Sequence, residues 1–264
     1  MIKKYITFFI VSILILSGCS APYSKQGIHI INREEKQMPP ADFMPLKVNI
    51  VSIGDSLTQG VGDIEEKGGY VPYLKSKLES NRSIKEANFN NFGVKGNRTD
   101  QLLNRLKQEK IKNSIKDANI VIITIGGNDV MEVFKKNLMG LHVKMFLDAE
   151  KGYSERLTEI IDTIISYNND AEIYLVGIYN PFIRWFSDLK EMDDIVNSWN
   201  QSSTTVIGKY NQTTFVPVAD IFQNQEENLL YTDYFHPNNE GYNLMAARIY
   251  DYLGKTGILK NMLN

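Results

Sequence analysis

A chain of 264 residues, 43% hydrophobic and 23% charged, has the balance of an ordinary globular protein. Its formal net charge is -2 and it carries no lysine- or arginine-rich block, which excludes nucleic acid as an expected partner. A single cysteine excludes an intramolecular disulfide, so the fold has to rest on its core.

In chain order, the first element is a leader. Met1 to Leu16 opens with Lys3 and Lys4, continues as a mostly apolar run and stops at Leu16-Ser17-Gly18-Cys19. The run is shorter than the ~20 residues a spanning helix needs, so the pattern is that of a signal peptide. Leu-Ser-Gly-Cys resembles the lipobox of bacterial lipoproteins. The resemblance implies a diacylglycerol on the Cys19 thiol, cleavage before it, and a mature N-terminus anchored on the extracytoplasmic face of the cell membrane. Ser20 to Leu46 follows with scattered charges, Pro22, Pro39, Pro40 and Pro45, and no apolar period. As a flexible tether it would reach about 30 Å from the anchor. The expected division is residues 1–18 as signal peptide, 19–46 as lipidated N-terminus and tether, and 47–264 as one folded domain.

Within that domain, Lys47 to Ile53 is a β-branched run ending in Gly54, and Asn119 to Ile125 is another ending in Gly126-Gly127. Both read as buried parallel strands, with weaker candidates at 86–91, 172–178 and 213–218. Between them, helical spacing runs over 70–80, 99–107, 152–167, 192–210 and 239–252. Strands alternating with helices predict an α/β fold, a three-layer α/β/α sandwich around a flavodoxin-like parallel sheet of about five strands. Ligands of such sheets bind beyond the carboxyl ends of the strands, and the loops there carry the polar motifs.

Four motifs occupy those loops. Gly54-Asp55-Ser56-Leu57 follows the first strand and offers a hydroxyl nucleophile. Asp233-Tyr234-Phe235-His236-Pro237 precedes the last helix and offers an imidazole with a carboxylate three residues away. A serine needs a base, and the base works best when a carboxylate orients it. Of the three histidines, His29 falls in the tether and His142 has no carboxylate at short spacing, so His142 reads as a structural or surface residue. Taken alone, the Asp233–Pro237 cluster serves equally well as a helix cap. Gly96, in Gly93-Val94-Lys95-Gly96-Asn97, would let backbone approach a substrate, or would simply make a turn. Asn128, in Gly126-Gly127-Asn128-Asp129, could donate an amide N–H to a developing oxyanion, or could cap the helix from Val130 onwards.

Together and in this order, the four motifs resemble those of the SGNH (GDSL) hydrolase family over about Lys47 to Leu253. The resemblance implies that fold and ester hydrolysis through an acyl-enzyme. It assigns Ser56 as nucleophile, His236 as base, Asp233 as its orienting partner, and the Ser56 N–H, Gly96 and Asn128 as the oxyanion hole. Asp55 matches a motif position without a triad role and is expected to make structural hydrogen bonds. Thr58 stands where the Gly-x-Ser-x-Gly elbow of α/β-hydrolases has glycine, which counts against that fold. No metal is expected, since neither His-Glu-x-x-His nor a histidine cluster occurs, and no Gly-x-x-x-x-Gly-Lys loop offers a nucleotide site.

For the substrate, the aromatic stretch Tyr179 to Phe186 and the apolar stretch Leu138 to Leu147 either line an acyl-chain channel or pack locally. The first option predicts a lipase- or lysophospholipase-like enzyme. The alternatives are an O-acetylesterase of cell-wall polysaccharide, and a non-catalytic lipoprotein that binds lipid or glycan.

Overall fold

The computed structural model describes residues 44–180, 182, 190–223, 225–260 and 262–263. The leader, Cys19, most of the tether and most of the aromatic stretch, Pro181 and 183–189, lie outside the described residues.

Five strands, β1 (Leu46–Gly54), β2 (Ile84–Gly93), β3 (Ile120–Thr124), β4 (Glu172–Val176) and β5 (Thr213–Val216), form one sheet in the order β2-β1-β3-β4-β5. Every pairing is parallel. The helices are α1 (Ser56–Gln59), α2 (Tyr70–Glu79), α3 (Thr99–Leu106), α4 (Glu109–Lys116), α5 (Gly127–Lys136), α6 (Val143–Tyr167), α7 (Lys190–Ile207), α8 (Ala219–Phe222), α9 (Glu226–Leu229) and α10 (Asn239–Lys255).

Side chains alternate across the sheet with the period of two that a strand imposes. Val51, Ile53, Val121, Ile123, Ile173 and Leu175 enter one core, closed by Leu102 of α3, Ile111 of α4, Leu157 of α6 and Trp199 of α7. Val48, Ile50, Ile120, Ile122, Tyr174 and Val176 enter the other, closed by Leu74 of α2 and by Met245 and Ile249 of α10. This is the α/β/α sandwich. Central β3 is buried at every position because it has a strand on each side and helices on both faces. Edge strand β2 pairs only with β1, and its Asn88-Phe89-Asn90-Asn91 run is largely exposed.

The structure differs from the sequence reading at several elements. Helix α4 was not expected, because it shows only Ile111 and Ile115 on its buried face, too short a period to detect, and α5 starts at Gly127 rather than at Val130. Helix α6 starts at Val143 rather than near Gly152, because its first turns bury little beyond Phe146 and Glu150 and so lack an amphipathic stripe. Strand β4 ends at Val176, since Asn200 of α7 takes over the backbone of Ile178. Its Oδ1 accepts the Ile178 N–H at 2.9 Å and its Nδ2 donates to the Ile178 carbonyl at 2.8 Å.

Candidate active site

Strand β1 ends against β3. Gly54 has φ +141°, and a Cβ there would lie 1.9 Å from the Thr124 carbonyl oxygen, so only glycine permits the two strands to meet this closely. The chain then turns directly into α1. The Asp55 N–H donates to the Thr124 carbonyl at 3.0 Å, and the Asp55 carboxylate accepts from the Leu57 N–H at 3.0 Å and the Thr124 hydroxyl at 2.8 Å. Asp55 is thus the N-cap of α1. Burial pushes its pKa up to about 7, against the pull of those two hydrogen bonds. Ser56 is the first residue of α1 and only 3% exposed.

Between α9 and α10 the chain forms a tight loop, pinned by a bridge between Leu230 and Pro237 and by the Tyr231 N–H donating to the His236 carbonyl at 2.7 Å. Inside it, Asp233 Oδ1 accepts the N–H groups of Phe235 and His236, both at 3.0 Å. Asp233 Oδ2 lies 2.6 Å from His236 Nδ1, and His236 Nε2 lies 3.0 Å from Ser56 Oγ. The helix cap belongs to another residue: Asn238, whose side chain accepts the Gly241 N–H, caps α10.

The electrostatics suit a base. Burial lowers the pKa of His236, opposed by the hydrogen bond and charge of Asp233, so the ring is neutral at pH 7. With the carboxylate accepting from Nδ1–H, the Nε2 lone pair faces the serine hydroxyl. For Asp233, burial acts upwards, but the backbone and ring N–H donors of His236 and the Phe235 N–H outweigh it and hold the carboxyl below the usual range.

Asn128 sits in the first turn of α5, whose N-cap is Gly126, so it caps nothing. Its side-chain Nδ2 donates to the Asn97 carbonyl at 3.1 Å. An amide has two N–H groups, which leaves the second for another acceptor. Ser56, Asn128, Ile178, Tyr179 and Phe235 all line one small cavity of about 30 Å³. Gly96 is not in its wall; it is exposed, with φ +79° in a turn closed by the Asn97 N–H on the Val94 carbonyl. Leu138 to Leu147 supplies no wall residue either, so of its two readings the acyl-chain channel beside Ser56 is not the one seen. His142 is exposed at the start of α6.

Several residues that organise this edge escape a motif reading. Asp129 accepts from the Thr99 N–H at 3.0 Å, the Thr99 hydroxyl at 2.6 Å and Arg156 Nη2 at 3.2 Å, and Arg156 Nε donates to Thr99 Oγ1 at 2.7 Å. That cluster ties the start of α3, behind Gly96 and Asn97, to the start of α5, which carries Asn128. Arg105 adds bonds to Asn97 Oδ1 at 2.8 Å and the Phe92 carbonyl at 2.6 Å. Buried Tyr179 donates its hydroxyl to the Phe235 carbonyl. Position next to Asn128 was the one available signal for Asp129; Arg156 sits on a helix face that reads as solvated.

A parallel sheet of this order, with these residues gathered where β1 and β3 diverge, defines an SGNH-type ester hydrolase. The chain belongs to the GDSL-like lipase/acylhydrolase family, whose family model matches residues 52–244. It is 36% identical over 250 residues to YpmR of Bacillus subtilis, covering 94% of this chain and 95% of that one. It is 26% identical over 214 residues to the spore germination lipase LipC of Bacillus licheniformis, covering 77% and 95%. Among solved structures, the lipase Lip_vut3 from a goat rumen metagenome superposes with TM-score 0.70 at 23% identity, over 81% of this chain and 100% of that one. A catalytic mutant of the acetylxylan esterase Axe2 of Geobacillus stearothermophilus superposes with TM-score 0.58 at 19% identity, over 79% and 95%.

Proposed function

We propose that the protein is a serine acylhydrolase of lipid-like carboxylic esters, working through an acyl-enzyme. The observation that carries this is the unbroken hydrogen-bonded series Asp233–His236–Ser56, ending at a cavity that Asn128 also lines. Ser56 Oγ attacks the acyl carbon and its proton passes to His236 Nε2. The carbonyl oxygen, now negative, takes the free Asn128 N–H and the Ser56 N–H; Gly96 would join from the rim as substrate settles over it. His236 then protonates the departing alcohol, and in the second half deprotonates the water that releases the acid and restores Ser56. A lipid-like ester is favoured by the largely apolar wall of Ile178, Tyr179 and Phe235 and by likeness to LipC, itself a lipase.

A second reading, an O-acetylesterase of a glycan, is favoured by two features. The cavity beside Ser56 is small. Next to it, Asn180 opens onto a groove of about 500 Å³ whose wall includes Asn197, Gln201, Asp193 and Gln223, groups that suit a polyhydroxylated ligand.

The test compares hydrolysis of p-nitrophenyl octanoate and acetate. Faster turnover of octanoate, abolished in Ser56→Ala and reduced about 10²–10³-fold in Asn128→Ala, is the expected result. Preference for acetate would favour the second reading. Turnover that survives Ser56→Ala would overturn both.

A further inference from the structure

Exposed apolar side chains are not spread evenly over this molecule. Of the ten large hydrophobic residues exposed among the described residues, Leu138, Met139, Val143 and Leu147 lie within ten positions of sequence, with Met139 fully exposed. Ile64 and Val94 are exposed in the loops that follow β1 and β2, at the same carboxyl edge of the sheet as Ser56.

The path of α6 shows where the cluster of four stands. At its C-terminal end, Asn168 donates to the carbonyls of Ile115, Lys116 and Ala118, which precede β3 at the edge opposite Ser56. Farther up, Tyr153 packs against Gly126, just beyond the carboxyl end of β3. Ten more residues separate Tyr153 from Val143, and at 1.5 Å per residue the helix continues about 15 Å past that level. Helix α5 starts at the same edge, and the 137–142 connection joins the two at a projecting tip. Buried Phe146 and the tilted contact of Phe134 with Phe182, ring centroids 4.8 Å apart, hold the base of the tip. Leu138, Met139, Val143 and Leu147 are left facing outward.

Charge accompanies the apolar residues. Lys135, Lys136 and Lys144 are exposed around the tip, and Lys151 is exposed farther down α6, near the level of Tyr153. Lys136 pairs with Glu132 and Lys144 with Asp148. The third carboxylate of the segment, Glu150, is buried and accepts from Ser198 and Ser202, so it does not face outward.

We propose that this tip is a membrane-docking element, which inserts Leu138, Met139, Val143 and Leu147 into the surface of an anionic lipid bilayer and holds the Ser56 edge towards it. Apolar side chains with lysines beside them are the composition that binds such an interface, the former by burial among acyl chains and the latter by attraction to anionic headgroups. A second copy of the chain fits less well, because a two-fold contact through the tip would bring Lys135 of one copy, which has no carboxylate partner among the described residues, towards its equivalent. The purpose of docking, delivery of an ester from the bilayer to Ser56, rests on the lipid-ester reading above; the docking itself does not.

Cys19 is the lone cysteine, so the full chain with Cys19→Ser and Met139→Cys takes one environment-sensitive fluorophore at the tip. A reference chain with Cys19→Ser and Asn211→Cys takes it in the exposed turn before β5, at the opposite edge. Both are mixed with phosphatidylglycerol-containing vesicles whose acyl chains carry a quencher. Since the apolar leader can bring either chain to a vesicle, the comparison is positional. At least about threefold stronger quenching at 139 than at 211, weakened in pure phosphatidylcholine, is the expected result. Equal quenching at both positions, or protection of the 139 label without vesicles in a protein that light scattering shows to be a dimer, would overturn the proposal. Hydrolysis of p-nitrophenyl octanoate by the same labelled chains reads the ester-hydrolase reading separately. In Leu138→Asp/Leu147→Asp, turnover of a vesicle-borne ester should fall about tenfold or more while p-nitrophenyl octanoate turnover is kept. An equal fall on both substrates would place the two leucines in substrate handling and refute the docking role.

Discussion

Three residues of separation let Asp233 bind both the imidazole Nδ1 and the backbone N–H of His236, so one short loop orients the ring and fixes its tautomer. This much is local and legible in sequence. The depth of burial is not, and it has a measurable consequence. His236 is lowered from its ordinary pKa chiefly by burial, and the working base is the neutral form. Activity should therefore be lost as pH falls through a midpoint below 6.5, the unperturbed histidine value, and should be flat above it to at least pH 8. An acid limb centred above 6.5 would contradict burial as the dominant influence on the ring, and a flat kcat/KM profile from about pH 5 to 8 would contradict the assignment of His236 as base. Asn128 shows the other limit of a motif. Its type announced a donor, but its bond to the Asn97 carbonyl crosses from α5 to the loop before α3 and has no trace in local sequence.

At the scale of elements, β1, β3 and α10 were legible because burial on both faces, or along one stripe, writes a period into the residues. Helix α4, the start of α5 and the first part of α6 were not. Their ends are held by particular partners: Asp129 joins α5 to α3, and Glu150 joins α6 to Ser198 and Ser202 of α7. Two substitutions separate core from site. Leu157→Ala on α6, a fully buried side chain remote from Ser56, should cost about 2–5 kcal/mol in urea denaturation and leave kcat of the folded fraction unchanged. Gly54→Ala should be destabilising and should also reduce kcat, because its Cβ would drive β1 from β3 directly beneath Asp55 and Ser56.

For the whole molecule, the strand order places the divergence of the crossovers between β1 and β3, which is why loops as distant in sequence as those of Ser56 and Asn128 share one cavity. We propose further that the chain is held to the membrane through a lipidated Cys19, which lies outside the described residues. Cys19→Ser should abolish incorporation of labelled fatty acid into the protein; undiminished incorporation would refute that anchor. Sequence by itself determined the layered α/β architecture and the Ser56, Asp233, His236 and Asn128 candidates, since strand burial and short polar motifs are written in neighbouring residues. Only the tertiary structure decided that Leu138 to Leu147 and Gly96 stay outside the wall of the cavity beside Ser56, and that Asp129, Thr99 and Arg156 tie the start of α3 to the start of α5. Those outcomes depend on contacts between residues that are tens of positions apart, and such distances are set by packing, not by any local period.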